Sequence, residues 1–285
     1  MRAMNILSIG SWVAYGHVGN AAAVFPMQRL GHEVWAVNTL QFSNHPGYGA
    51  FRGQLFPADA VRDVVSGIAD RGVLPSCDAV LSGYLGDAAI GEVVLDAVKQ
   101  VKSANPNALY CCDPVIGDVG PGVYVREGIP EFMRTRALAA ADIVTPNLFE
   151  LQHLAGQPAT DLGAIRAAID FVHARGPRIV LVTSVESGQT PADSVDLLAS
   201  ADGECFRVRT PKLGAAFNGA GDAIAALFLV HYLATRSVRE ALENAASSIF
   251  GLLARTAEAG SREPLLVAAQ DELVNPSVRF SAERL

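Results

Sequence analysis

Asn218-Gly219-Ala220-Gly221-Asp222 opens directly onto the apolar stretch 223–233, and here residue types and spacing point most clearly to chemistry. Glycines at a helix start let the backbone approach an anion closely, and the first helical turn presents unpartnered N–H groups and the positive end of the dipole. An aspartate fixed there can take a proton from an attacking hydroxyl while those N–H groups hold a transferring phosphoryl group. Phosphoryl transfer needs little else from a protein beyond positioning, a metal and charge stabilisation. The plainer reading is that Asp222 caps the helix and the glycines turn the chain.

Two further clusters carry carboxylates. Cys112-Asp113-Pro114-Val115-Ile116-Gly117-Asp118 follows a strand-like run, and its two aspartates, five apart on one loop, can hold Mg²⁺ through water. An ordinary Asp-Pro turn with a solvated Asp118 fits the same residues. Thr145-Pro146-Asn147-Leu148-Phe149-Glu150 has the spacing of a capping box, Asn147 at the N-cap and Glu150 at N3. The same pair would put an amide and a carboxylate near a nucleotide's metal, and spacing alone does not separate the two readings.

Nearer the amino end, the glycine-rich segment 10–20 crosses from a strand into a helix and suits a small-molecule pocket. The segment 41–49, Gln-Phe-Ser-Asn-His-Pro-Gly-Tyr-Gly, mixes aromatic, amide and imidazole groups that suit a flat heteroaromatic ligand. A lone His45 in a loop is also compatible with a structural or solvated role. Gly47-Tyr48-Gly49 lacks the glycine spacing and preceding strand of a dinucleotide fingerprint, and no Gly-Lys pair occurs, which excludes a P-loop.

The elements that must position these groups read as alternating strands and helices. Strands are predicted at 5–9, 34–37, 79–82, 108–112, 143–145, 179–183, 195–199 and 205–209. Several are apolar without alternation, as strands buried on both faces of a parallel sheet are. Ile90, Val93, Val94, Val98 and Val101 share one helical face, and Leu162, Ile165, Ile169 and Val172 another. The chain from Gly219 onward reads as mainly helical. This alternation implies an α/β fold, a doubly wound, mostly parallel sheet flanked by helices on both faces, in one domain over 1–285. Ligands in such sheets sit beyond the carboxyl ends of the strands, where the loops quoted above fall.

Half of the 285 residues are apolar and 18% are charged, enough for a large core. A formal net charge of −7 argues against a nucleic-acid partner. The only lysines are Lys99, Lys102 and Lys212, so a phosphate site must rely on backbone N–H groups, arginines or a metal. Cys77, Cys111, Cys112 and Cys205 form no C-x-x-C pair and read as buried thiols, with Cys111 and Cys112 on opposite faces of a strand. No secretory leader or membrane-length apolar run is seen, and a cytoplasmic location is expected.

Taken together, Tyr15-Gly16-His17-Val18-Gly19-Asn20, Val37-Asn38, Gln41-Phe42-Ser43-Asn44-His45, Leu81-Ser82-Gly83-Tyr84, the Asp113–Asp118 cluster and Thr145-Pro146-Asn147 resemble the pyridoxal kinases of the ribokinase-like superfamily over nearly the whole chain. The Gly-Ala-Gly-Asp element alone would say only ribokinase-like; the Asn44-His45 segment narrows it. The resemblance implies ATP-dependent phosphorylation of the 5′-hydroxymethyl group of pyridoxal and other B6 vitamers, with Asp222 as general base and Gly219, Ala220 and Gly221 as the anion hole. It places Ser11, Val18, Phe42, His45, Pro46 and Tyr84 at the pyridine pocket. Asp113, Asp118, Thr145, Asn147 and Glu150 would surround the phosphates, Mg²⁺ (carried by Asp113, Asp118 and Glu150) and a monovalent cation such as K⁺. Thr183, Ser184, Thr210, Pro211, Lys212 and Leu213 would border ATP, and Tyr124 would belong to a flap over it. Relatives are homodimers, so a homodimer is expected. The chain departs from the family pattern at Gly10, where glutamine is common, at Pro46, where threonine is usual, and at Ala220, where threonine or valine is commoner. Two alternatives are a hydroxymethylpyrimidine kinase, against which Ser43-Asn44-His45 argues, and a non-catalytic pyridoxal-binding protein, which would have no use for a base at Asp222.

Overall fold

The structure, a computed structural model, describes residues 2–214 and 217–285. In chain order come β1 (Asn5–Val13), α1 (Asn20–Arg29), β2 (Glu33–Phe42), β3 (Gly53–Leu55), α2 (Ala58–Ala69), β4 (Cys77–Ser82), α3 (Ala88–Ala104) and β5 (Leu109–Cys112). The hairpin β6 (Gly117–Asp118) and β7 (Gly122–Val123) follows, then α4 (Ile129–Phe132), α5 (Leu138–Ala140), β8 (Ile143–Val144), α6 (Leu148–Ala155) and α7 (Leu162–His173). The chain ends with β9 (Ile179–Val185), β10 (Ser194–Ala201), β11 (Glu204–Pro211), α8 (Ala220–Thr235), α9 (Val238–Glu258), α10 (Asp271–Val274) and β12 (Glu283–Arg284).

Ten strands form one sheet in the order β12-β11-β10-β9-β8-β5-β4-β1-β2-β3. The run β2-β1-β4-β5-β8-β9 is parallel, and antiparallel strands flank it on both sides. The expected mostly parallel, doubly wound sheet is therefore present, and its strand-helix alternation ends at β9, after which β10 and β11 return as a meander.

Side chains alternate across each strand, so every parallel strand feeds two cores. Leu7, Ile9, Val80 and Cys112 pack with α2, α3, α6 and α7. Ile6, Leu81 and Cys111 pack on the other face with α1, α8 and α9. The adjacent cysteines thus diverge as their neighbourhood in a strand requires, and all four cysteines are buried thiols. Helix α8 is apolar nearly all round, because it lies between the sheet and its neighbours α1 and α9.

At the outer margin, β11 carries Arg207 and Arg209 and ends at Pro211, and β12 covers only Phe206 and Arg207. Glu283 of β12 pairs with Arg207. No helix among the described residues is long and apolar enough to cross a membrane.

Candidate active site

Helix α8 begins at Ala220, with Gly219 as its N-cap at φ 75° and Asp222 in its first turn. A Cβ on Gly219 would overlap the His17 carbonyl oxygen, so the turn before α8 and the loop after β1 meet backbone to backbone. Only glycine combines that approach with a left-handed φ. The same loop is tight at Gly19, φ 59°, where a Cβ would run into Ser11. The first turn of α8, whose N–H groups have no partner within the helix, is therefore packed closely against the loop after β1.

Asp222 is half-buried at this position. Burial pushes its carboxyl up to about 6, and the backbone N–H groups of Gly19 and of Asp222 itself work against that rise. Asp113, at the carboxyl end of β5, is 7% exposed and is raised by burial and then by the charge of Asp222. The Thr145 hydroxyl donates to Asp113 Oδ1 at 2.9 Å and counters part of the rise. The two aspartates thus share one field, although they lie more than 100 positions apart in the chain.

Glu150 completes the acidic group and is itself raised by burial and by Asp113. The capping box is formed: Asn147 Oδ1 accepts from the Glu150 N–H at 2.8 Å, and Glu150 Oε2 accepts from the Asn147 N–H at 2.9 Å. Glu150 Oε1 also accepts from the N–H groups of Ile116 (2.9 Å) and Gly117 (3.4 Å), which ties the β6–β7 hairpin to α6. The structural reading of this pair holds, and it accounts for both carboxylate oxygens.

Asp118 behaves differently from the expected carboxylate set. It sits on β6, exposed, and its Oδ1 accepts from the Val119 N–H at 2.7 Å. No group of three acidic, histidine or cysteine side chains among the described residues is arranged to grip a metal ion directly. Tyr124 follows the hairpin. Its phenol is pushed well up, first by burial and then by Glu150, Asp113, Asp222 and Asp118, although the residue as a whole is 51% exposed.

Toward the carboxyl end of β9, Thr183 and Asn147 form a bridge, and the Thr183 N–H donates to the Pro146 carbonyl at 3.0 Å. The pairing of β9 with β10 shifts here, so Thr183 and Ser184 together oppose Leu197. Ser184 takes φ 53°, and such a bulge bends the end of the strand. Thr210 is buried in β11; after it Pro211 is exposed and Leu213 half-buried. Lys212 is engaged by Glu186 at 2.6 Å.

On the other side, Ser11 and Val18 are buried, and Phe42, His45 and Tyr84 are half-buried. Burial lowers the His45 imidazole and raises the Tyr84 phenol. His45 Nδ1 accepts from the Gly47 N–H at 3.2 Å and caps the helical turn Pro46–Tyr48, with Pro46 exposed at its first position. The Thr39 hydroxyl donates to the Tyr84 carbonyl at 2.9 Å, fixing β2 against the segment after β4. Asn20 is 2% exposed and bonds Val37 O (3.0 Å) and Asn38 Oδ1 (2.9 Å), which holds the ends of β1 and β2 together. A Cβ at Gly10 would lie 3.3 Å from Asn20 Oδ1, so a larger residue there would have to shift this bridge.

Glu263 was not singled out by any motif. Its carboxylate receives the Tyr48 hydroxyl at 2.7 Å and the His17 N–H at 2.8 Å. No local pattern around Glu263 points to loops more than 200 positions away. A cavity of about 410 Å³ lined by Arg166, His173, Arg178 and Cys205 opens at the opposite end of the sheet, by the start of β9, away from these groups.

A parallel sheet with its loops gathered at the strand ends, a glycine turn into α8 and an aspartate in that helix's first turn define a ribokinase-like small-molecule kinase. The sequence model of the phosphomethylpyrimidine kinase family matches residues 37–265. Pyridoxal kinase PdxY of Granulibacter bethesdensis is 59% identical over 98% of this chain and 99% of its own length. That of Rubrobacter xylanophilus is 56% identical over 99% and 98%. The solved pyridoxal kinase of Leishmania donovani, in complex with ADP and pyridoxamine, matches with a TM-score of 0.92 at 28% identity over 99% of both chains. The chain belongs to the pyridoxal kinase family.

Proposed function

We infer that the protein transfers the γ-phosphoryl group of ATP to the 5′-hydroxymethyl group of pyridoxal and related B6 vitamers, as one kinase domain spanning 1–285. The observation that carries this reading is the placement of Asp222 in the first turn of α8, behind the left-handed Gly219 and facing Asp113. A carboxyl raised to about 6 is still ionised at neutral pH, yet it is a better proton acceptor than a solvated aspartate. Asp222 accepts the hydroxyl proton as the new O–P bond forms and the bond to the ADP oxygen breaks. The N–H groups of Gly219, Ala220 and Gly221 hold the charge on the phosphoryl oxygens during transfer. Ser11, Val18, Phe42, His45, Pro46 and Tyr84 receive the pyridine ring. Thr145, Asn147, Tyr124, Thr183, Ser184, Thr210, Pro211, Lys212 and Leu213 border the nucleotide.

The buried acidic group fits a cation. No lysine or arginine among the described residues pairs with Asp113 or Glu150, and both carboxyls are raised by burial and then by a neighbouring carboxylate, Asp222 for the first and Asp113 for the second. Mg²⁺ would be held here mainly through the nucleotide, with Asp113 and Glu150 acting through water and Asp118 approaching from the hairpin, and K⁺ would sit nearby. Such an ion supplies charge neutralisation to the phosphates. A cytoplasmic homodimer is part of this proposal, and light scattering at assay concentration tests the dimer.

Measuring ADP release with pyridoxal, pyridoxine, pyridoxamine and hydroxymethylpyrimidine tests the reading. Turnover of a B6 vitamer well above that of the pyrimidine is the expected result. The description of the matching family favours the pyrimidine as a second reading. Preference for it would overturn the first, and binding of pyridoxal without any ADP release would leave a binding protein.

A further inference from the structure

Three loops far apart in sequence meet on one side chain. Glu263 Oε2 accepts the His17 backbone N–H at 2.8 Å, and Oε1 accepts the Tyr48 hydroxyl at 2.7 Å. The Asn218 amide reaches the same Oε1 at 3.5 Å. His17 lies in the loop after β1, Tyr48 closes the helical turn begun by Pro46, and Asn218 precedes the N-cap of α8.

The segment carrying Glu263 is itself braced. The Ser261 hydroxyl donates to the Glu263 carbonyl at 2.8 Å, and Ser261 Oγ accepts from the Glu263 N–H at 3.1 Å. The Arg262 guanidinium lies 4.6 Å from the centre of the Tyr48 ring, and the Tyr15 ring meets Tyr48 edge-on at 6.1 Å. Tyr48 is therefore gripped at its hydroxyl, on its face and at its edge. The hydrogen bond to Glu263 also pushes the Tyr48 phenol up to about 12, so it stays a donor throughout the working range.

We propose that Glu263 is a positioning residue for phosphoryl transfer, its two oxygens setting the vitamer loop 43–49 and the loop after β1 against the turn that leads into Asp222. This rests on the proposed vitamer reading. Val18 and Gly19 directly follow His17, and the Gly19 N–H lies at the Asp222 carboxylate, so a shift at His17 is passed to the reacting end. Both bonds to Glu263 have a charged acceptor, which strengthens them over neutral ones. A carboxylate can accept on both sides; an amide of the same shape must turn a donor toward one of its two partners.

Glu263→Gln, Tyr48→Phe and the double variant test this in the full-length protein with pyridoxal and ATP. Glu263→Gln should raise the KM for pyridoxal by about five- to tenfold, the scale of one weakened charge-assisted bond, with the KM for ATP within about twofold of the parent. Tyr48→Phe should raise it by about threefold, and less than that in the Glu263→Gln background, because the two residues share one interaction. Hydrogen exchange without ligand should quicken in peptides covering 12–20 and 43–52 of Glu263→Gln. An unchanged KM for pyridoxal in Glu263→Gln, or independent multiplication of the two effects, overturns the proposal. So does a loss of kcat alone in proportion to misfolded protein, and Tyr48→Phe decides the matter if Glu263→Gln does not fold. The parent's own turnover of pyridoxal keeps the two readings apart: without it the function reading fails, whatever the variants do in exchange.

Discussion

Thr145 donates its hydroxyl to Asp113 Oδ1 at 2.9 Å across the ends of β8 and β5, 32 positions apart in sequence. The Asp113 N–H in turn donates to the Ser82 carbonyl at 2.8 Å, so the residue is fixed from two neighbouring strands. Asp113 is thereby held in a buried place where the charge of Asp222 reaches it. Much of the behaviour expected of this protein follows from that constraint.

Replacing Asp222 by asparagine removes the proposed base and keeps the size. Turnover should fall by roughly 10²–10⁴, the usual worth of general-base catalysis, while the KM for ATP changes little. Steady-state kinetics on both substrates check this. Near-normal turnover would leave Asp222 a helix cap.

The raised Asp222 carboxyl also sets a pH limb. The base acts only when ionised, so kcat/KM for pyridoxal should fall as pH drops through about 6 and level off above it. A profile measured in mixed buffers between roughly pH 5 and 8 should lose the limb's Asp222 component in Asp222→Asn. An acid limb near the ordinary carboxylate value, about 4, would contradict the assignment.

Stability should move the other way at Asp113. Its folded pKa lies above the unfolded value, so the native state binds the proton more tightly, and stability is lost as pH rises from the unfolded pKa through the folded one. Asp113→Asn keeps the acceptor for Thr145 and removes the charge. Its Tm should exceed that of the parent at pH 8 and converge on it at pH 4, with roughly 2 °C gained per kcal/mol relieved. Turnover should fall in the same variant. A lower Tm at pH 8 would show that the charge is compensated by something else.

Excess chelator should abolish turnover, and added Mg²⁺ should restore it. Glu150→Gln should raise the Mg²⁺ needed for half-maximal rate and also lower Tm, because an amide turns a donor toward one of the backbone N–H groups that Glu150 now accepts, a cost of about 1–3 kcal/mol. Full activity in chelator would remove the metal from the mechanism.

Pro46→Thr adds a hydroxyl and an N–H at the first position of the turn that His45 caps, beside the proposed pocket. One net hydrogen bond, about 0.5–1.5 kcal/mol, would lower the KM for pyridoxal by several-fold up to about tenfold. The KM for ATP should stay put. An unchanged KM for pyridoxal shows that another group already makes the contact.

The architecture was readable because its parallel strands are buried on both faces, and uninterrupted apolar runs between amphipathic helices leave few alternatives. All eight expected strands are present, and β1, β2, β4, β9, β10 and β11 extend beyond the predicted limits. What went unread is short and set by partners: β3, the β6–β7 hairpin and β12 have two or three residues each, too few to show a period. Asp222 with its glycines was legible because turn, base and helix start are consecutive. Glu150 was legible as a cap for the same reason. The hairpin that carries Asp118 into solvent was not legible, because two strands of two residues each show no period. Glu263 could not be read at all, since its partners His17 and Tyr48 lie 246 and 215 positions away.

The sheet's last long strand ends in a way that bears on the life of the protein in a crowded solution. Along β11 the groups not covered by β12 lie beside Arg207 and Arg209, and the strand stops at Pro211, which has no N–H to offer. Arg209 is already committed to Asp196 at 2.6 Å. A strand from another molecule docking there would have to break that pair or bury a guanidinium against itself, and would find no partner at the proline. The margin of this ten-stranded sheet is thus a poor template for fibre growth, and the two-residue tail Glu283–Arg284 is its seal.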